Sequence, residues 1–545
     1  MAVHPEAQHV VEHDLTIKVD GTSIGGEVVV RSIVVREAAS QPARLELVID
    51  SGAAAAFKAD SEIRVAVDGG PIFSGTIQTV SDQLQDGHPV ALVVAEDAMR
   101  VLRHVFVSQV FEQMKSSDIL QRVLSAAGLS GEVPASAVAL EQHVVVGQTS
   151  LDLCMNLAAE AGWIFRCQDK DVTFIPLDKE SAAVVKCTAG ESLLHFSGAE
   201  REVPGKVSFK SWDLGKAEVI HAEKAVKAKR KGKDSMRHSA AQELAIVDFQ
   251  AAGAALELGA MSFAGQGAML GSTLVKVGVH VELQGASGPE HHTTFPSGAY
   301  LVTACEHRVE AGTFVTNFAV GLSEPLPRPP RAAPPLLPAV IKRTDDPAAL
   351  GRLLVTLPTL EGAVWAHAAV PFGGFHFPHA VGDQVLVSFL PDDPPVPVII
   401  GALPTASARA ALKLPKATEG KRGRGQIAYG GSVLTLAPGD EGPAGASLSG
   451  KTCKIELVDG EKVLLQGPGA ATVELVDGHV RLKVGAASIL ELDASMLHAS
   501  VVKLEALAQA LISLRSNGAF DMHSAATIDV KSAVVSINGD ALRIT

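Results

Sequence analysis

Apolar and polar residues alternate with period two over most of this chain. Residues 15–19, 26–35, 43–49, 63–67, 72–80 and 90–95 are strand-length runs of this kind, rich in Val, Ile and Leu. Asp68-Gly69-Gly70 and Gln85-Asp86-Gly87 punctuate them as hairpin signals. Together they predict a first β-barrel over residues 1–110. The period then changes. Ile119, Leu120, Val123 and Leu124 form one helical face, with Ser116 or Ser117 as N-cap and Gly128 as stop. A second helix has Thr149 or Ser150 as cap, Leu153, Leu157 and Ala161 inward and Gly162 as stop. These helices and a strand over 164–167 predict an α+β connector, 111–186.

Strand patterning returns over 207–210, 273–283, 298–306 and 315–322, predicting a second barrel within 187–323. EKAVKAKRKGKDSMRH, starting at Glu223, interrupts it as the basic run of an otherwise acidic chain. It reads as a solvated loop or exposed helix, or as a docking patch for an acidic neighbour. The segment 324–338, EPLPRPPRAAPPLLP, fits neither helix nor central strand and predicts a stiff extended spacer. Five short strand candidates follow within 339–404: 340–342, 352–357, 364–370, 384–389 and 396–400. That number of short strands in so little chain has the size of an OB-fold.

After a polar linker, 405–430, the pattern becomes repetitive. KIELVDGEKVLLQG from Lys454 and TVELVDGHVRLKVG from Thr472 share Glu-Leu-Val-Asp-Gly, and Ile489 to Asp493 resembles a degenerate third copy. Farther on, Phe520, Met522, Ala526, Ile528 and Val530 share one face. Two-faced β units of this kind cannot bury their apolar side alone. Three chains wound about one axis would bury it, so a trimeric β-prism is expected over 431–545. Residues 501–516 fit either periodicity, and strand is favoured from context.

Composition narrows the picture. Aromatic residues are only 4% of the 545, which suits narrow, closely packed β-structure. The net charge of −13 argues against a nucleic-acid binder, even for an OB module. No stretch of eighteen consecutive apolar residues occurs, and the first residues lack a secretory pattern, so synthesis in the cytoplasm is expected. The five cysteines are scattered without a CxxC pair and read as reduced, mostly buried thiols.

Candidate chemistry is sparse. His291-His292, His376 and His379 lack carboxylate or Cys companions at metal-ligand spacing. Asp392-Asp393 sits in a turn motif. The Glu-Leu-Val-Asp-Gly copies admit a rival reading, a β-helical carbohydrate-active protein, which needs carboxylates converging on a groove. A single-stranded nucleic-acid binder is the other alternative. No catalytic residue, cofactor or metal site is expected.

AALGRLLVTLP, VWAHAAVPFGG and FPHAVGDQVLVSFLPDDPPVPVIIGAL occur in this order, and together they resemble the OB module of the VgrG-like, contractile-phage hub-and-spike family. The matching positions are Gly351, Trp365, Pro378, Gly382, Asp383 and Gly401. LDLCMNLAAEAGWIFR and YLVTACEHRVEAGTFVTNFAVGLSEPLPRPP resemble that family's hub. The resemblance implies a mainly β protein with two hub barrels, an OB-fold and a trimeric β-prism or triple-stranded β-helix. It also implies a non-enzymatic homotrimeric spike of a contractile injection system, closest to phage-tail-like extracellular particles. Its expected partners are a hexameric inner tube, baseplate proteins, effector cargo and a PAAR-like tip protein docking at Leu542, Arg543, Ile544 and Thr545. A membrane enters only as the puncture target.

Overall fold

A computed structural model describes residues 13–24, 28–182, 185–285, 297–329, 336–371, 379–390, 395–403, 424–429, 431–439, 443–485, 488–493 and 495–501, together with 503, 521–525, 527–529 and 531. The chain divides into two compact units, Met1–Thr405 and Ala406–Thr545.

In the first unit, the expected strands form where the alternation placed them: Leu15–Val19, Val30–Ala38, Arg44–Asp50, Glu62–Val67, Gly70–Gln85 and His88–Glu96. Asp68-Gly69 and Asp86-Gly87 all have positive φ, the geometry a tight twisted hairpin requires. Ile33, Leu45, Leu47, Ile63, Val65, Ile77 and Val93 point inward as the core of this first lobe. The second lobe has its own core of Leu193, Met269, Val281, Leu283, Val302, Phe318 and Val320. The two expected barrels are joined: Val30–Ala38 pairs antiparallel with Gly298–Glu310, Val35 opposite His307. Among the described residues this produces one thirteen-stranded sheet shared by both lobes.

Helix α1, Ser116–Ala126, and helix α2, Ser150–Ala161, bury the predicted faces. Thr149 caps α2 by accepting from the Asp152 N–H at 3.1 Å, and Gly162 ends it at φ 70°. The α1 expectation is corrected in one respect. Ser116 and Ser117 are the first helical residues, Lys115 at the N-cap makes no side-chain cap, and the Ser117 N–H donates to the Ser136 hydroxyl at 3.2 Å.

Two further readings are corrected and one element is new. Residues 273–279 alternate but form turns, and only His280–Gln284 is strand. Gly278, at φ 85°, bends the chain there, while Val275 and Val277 still reach the core. The basic run is only partly the expected loop: 226–230 and 233–234 are irregular, while its ends belong to Glu218–Ala225 and Ser235–His238, both paired with Lys206–Asp213. Finally, helix α3, Leu244–Met261, carried no signal in the sequence. Its residues are apolar or small on nearly every side, so no stripe stands out. Its Gly253 lies against the end of α2, where a Cβ would meet the Glu160 carbonyl oxygen at 1.9 Å.

The proline-rich segment is also more than a spacer. Leu326 is buried and its N–H donates to Glu257 on α3 at 2.7 Å. Arg328 donates to both oxygens of the same carboxylate, at 2.8 and 2.9 Å. The strands after it, Leu337–Arg343, Leu353–Thr356, Ala363–Ala368, Val396–Ala402 and Gln384–Leu390, close into a barrel in that order. Ile341, Val355, Val364, Ala366, Val385, Val387 and Ile399 fill it.

The second unit is an antiparallel meander of nine strands among the described residues, from Gly425–Tyr429 to Leu497–Ser500. The described residues from 521 to 531 carry no strand. Of 501–516 only Val501 and Lys503 are described, so its conformation lies outside the described residues.

Candidate assembly surface and barrel latch

The meander places residues directly opposite one another on the same face. One ladder reads Ile427, Leu434, Leu448, Ile455, Leu465, Val473, Leu482, Leu490 and Ala499 across nine successive strands. Two residues along each strand, on the same face, a second ladder reads Leu436, Ala446, Leu457, Val463, Leu475, Val480, Leu492 and Leu497. At the usual strand spacing this apolar face is about 38 Å long. The row between them on the opposite face is mostly polar: Thr435, Ser447, Glu456, Leu464, Glu474, Arg481, Glu491 and His498. Lys454 and Lys462 face Glu456 there, and Arg481 donates to Glu491 at 2.6 Å.

No described residue beyond Ile399 is buried. Leu436, Leu457, Leu475 and Leu492 are each about half exposed. Covering each such leucine would stabilise the sheet by up to about 2 kcal/mol, so the face is built to be covered. Asp477-Gly478 turns the second Glu-Leu-Val-Asp-Gly copy with both residues at positive φ. The first copy uses Asp459, Gly460 and Glu461, one residue more.

The barrel of the first unit is fastened to the connector by a latch. The Arg352 guanidinium donates to both carboxylate oxygens of Glu141 (2.7 and 3.1 Å) and to both of Asp346 (3.1 and 3.2 Å). Burial alone would raise the Asp346 carboxyl, but Arg352 and three backbone N–H donors hold it far below the ordinary carboxylate range. The same contacts raise Arg352 against the opposing effect of burial. Beside this group, the Gln142 side chain donates to the Trp365 carbonyl (3.0 Å) and accepts from its N–H (2.9 Å). Arg343 and Arg352 lie over the Trp365 ring at 5.6 and 5.7 Å.

The predicted barrel residues therefore have distinct placements. Gly351, at φ 70°, delivers the chain to Arg352. Trp365 sits in the latch. Gly382, at φ 94°, and Asp383 form a turn closed by the Asp383 carboxylate accepting from the Ala380 N–H at 2.9 Å. Gly401 is on the last barrel strand, opposite Leu386 at a bulge. Pro378 and the tip-docking residues Leu542, Arg543, Ile544 and Thr545 lie outside the described residues, as do His291, His292, His376, Asp392 and Asp393. Arg352 and Glu141 escaped sequence reading because they are far apart in the chain. Gly351-Arg352 was legible as a motif, but its partner was not.

Two lysines of the basic run are answered by carboxylates of the same chain, Lys224 by Asp248 and Lys229 by Glu200. Among the described residues, no three His, Cys, Asp or Glu side chains converge as a metal site. Cys154, Cys187 and Cys305 are buried thiols, and Cys453 is exposed.

Residues 337–403, the closed barrel, match the type VI secretion system/phage-baseplate injector OB domain. Barrel and match define the class of this part of the chain, an OB domain of the secretion-system and phage-baseplate injector kind. Residues 9–310 match the Alg8 N-terminal domain, and the chain belongs to that family.

Comparison with curated proteins gives no match. Three solved structures show similarity. The 43 kDa tail protein of prophage MuSo2 from Shewanella oneidensis is 13% identical, covering 56% of this chain and 98% of its own at TM-score 0.45. An E. coli component of the type VI secretion system, described as structurally similar to T4 tail proteins gp27 and gp5, is 16% identical, covering 71% and 99% at 0.46. The lidded Francisella PdpA–VgrG complex is 8% identical, covering 90% and 81% at 0.49. The family matches, not these superpositions, carry the assignment.

Proposed function

We propose that this chain is the homotrimeric central spike and hub of a contractile injection machine, with a mechanical role and no catalysis. The observation that carries this reading is the double apolar ladder on a sheet without a buried residue of its own. Three such faces packed about an axis bury one another and leave the charged rows outside. A heterologous cover would need an equally long, equally regular partner, whereas a second and third copy supply one by construction. The first unit supports the same role, because its barrel is joined to the hub by the Arg352–Glu141 ion pair and the Gln142–Trp365 hydrogen bonds rather than by a free tether. Load applied at the hub is thereby transmitted to the barrel.

In this reading the hub seats a hexameric inner tube, and baseplate proteins, cargo and a PAAR-like tip protein assemble with the trimer into an injection particle. Light scattering of the full-length chain tests it. The expected mass is about three times the 56.6 kDa of one chain. A stable monomer at micromolar concentration would sink the proposal.

A further inference from the structure

We infer that the hub contains a binding pocket for a small organic anion, where its first lobe meets the connector. A cavity of about 430 Å³ lies there, within the range of small-molecule sites. Lys18, Arg64, Arg166 and Lys276 bring positive charge to its wall from four separate segments, and Glu37, Asp97 and Asp169 bring negative charge. Asp97 and Asp169 are occupied elsewhere, while Glu37 offsets part of the charge of Arg166 and Lys276. Asp169 faces Arg64 at 3.7 Å. Asp97 accepts from the backbone N–H groups of Ala43 and Met99, at 2.8 and 2.9 Å. Glu37 accepts from the Val277 N–H at 3.3 Å, with the Cys305 thiol at 3.7 Å.

Lys18, Arg166 and Lys276 are left without an ion pair to any described residue, and the Arg166 Nε is buried with no hydrogen-bond partner. An orphaned guanidinium N–H is costly in a folded protein and calls for an acceptor. Arginine stays charged and presents a planar fork that fits a carboxylate or phosphate. Burial raises the Glu37 carboxyl and pushes Asp97 up to about 7, which weakens the negative charge on the wall; burial also lowers Lys276, leaving Arg166 as the principal anchor. Val65, Ile72 and Phe73 line the cavity as well and suit an apolar body behind the anionic head. The pocket lies within one chain and does not depend on the trimer.

Calorimetry on the full-length chain with phenyl phosphate, benzoate and neutral benzyl alcohol tests the inference. At least one of the two anions should bind with one site per chain, be displaced by inorganic phosphate, and bind about tenfold or more tighter than benzyl alcohol. Arg166→Gln should weaken that binding about tenfold, while Lys233→Gln on the exposed basic run leaves it unchanged. Lys276→Gln serves as a second variant should Arg166→Gln fail to fold, and the wild-type comparison of anion with alcohol stands if both fail. No heat from either anion at millimolar concentration, equal binding of the alcohol, or undiminished binding in the folded variants would overturn it.

Discussion

Ile341 in the barrel and Ile455 in the tail occupy the same kind of place, the inward beat of an alternating strand. Ile341 is 1% exposed and Ile455 is 43% exposed. The barrel closes its sheet on itself, so five short strands enclose a core within one chain. Among the described residues the tail meander does not close, so an equally regular apolar face is left open along its length. Alternation specifies a face; closure or assembly decides whether that face is covered. The barrel's apolar face is covered within the first unit, whereas the meander's stays half exposed among the described residues.

Several experiments would break or sharpen this contrast. The largest effect is expected from an aspartate on each inward face. Val387→Asp buries an unpaired carboxylate in the barrel and should cost roughly 4 kcal/mol or more, seen as a melting transition independent of concentration. Leu457→Asp paired with Leu475→Asp should instead convert trimer to monomer while the hub transition stays in place. If sedimentation shows the double variant still trimeric, the ladder is not the assembly surface.

Arg352→Ala should cost about 3 kcal/mol, because it leaves Asp346 and Glu141 facing one another without their cation. Hydrogen exchange at Trp365 should rise, and Arg352→Lys should recover only part of the loss because lysine cannot make the bidentate contacts. Gly253→Ala forces α3 away from α2 and should cost about 2 kcal/mol in the hub, whereas Gly460→Ala, with open space around it but φ at 70°, should cost about 1 kcal/mol in the tail.

A further effect is expected in pH. Burial raises Asp97 to about 7 against about 4 in an unfolded chain, so the folded hub holds a proton that the unfolded chain releases. Its contribution is complete below about pH 4 and is lost as pH rises to about 7. The hub melting temperature should fall over that window, Asp97→Asn should flatten the fall, and the tail should show no matching trend.

The sequence by itself determined the elements whose neighbours along the chain are also their neighbours in space. The barrel strands, the first-lobe hairpins with their Asp-Gly turns, and α2 with its Thr149 cap and Gly162 stop all follow from local alternation and turn chemistry. The tail repeat did as well, since each strand pairs with the next. Tertiary structure alone decided the rest. It made α3 a helix without an apolar stripe, because the helix is enclosed along much of its length. It kept 273–279 out of the sheet although Val275 and Val277 alternate, because alternation records burial and not pairing. It fixed Arg328 on Glu257 and Arg352 on Glu141, pairs whose members are distant in the chain. It also set a cavity among Arg166, Lys276 and Glu37, which no spacing in the sequence announces. Periodicity reports which side of an element faces an interior, and only the folded chain determines whose interior that is.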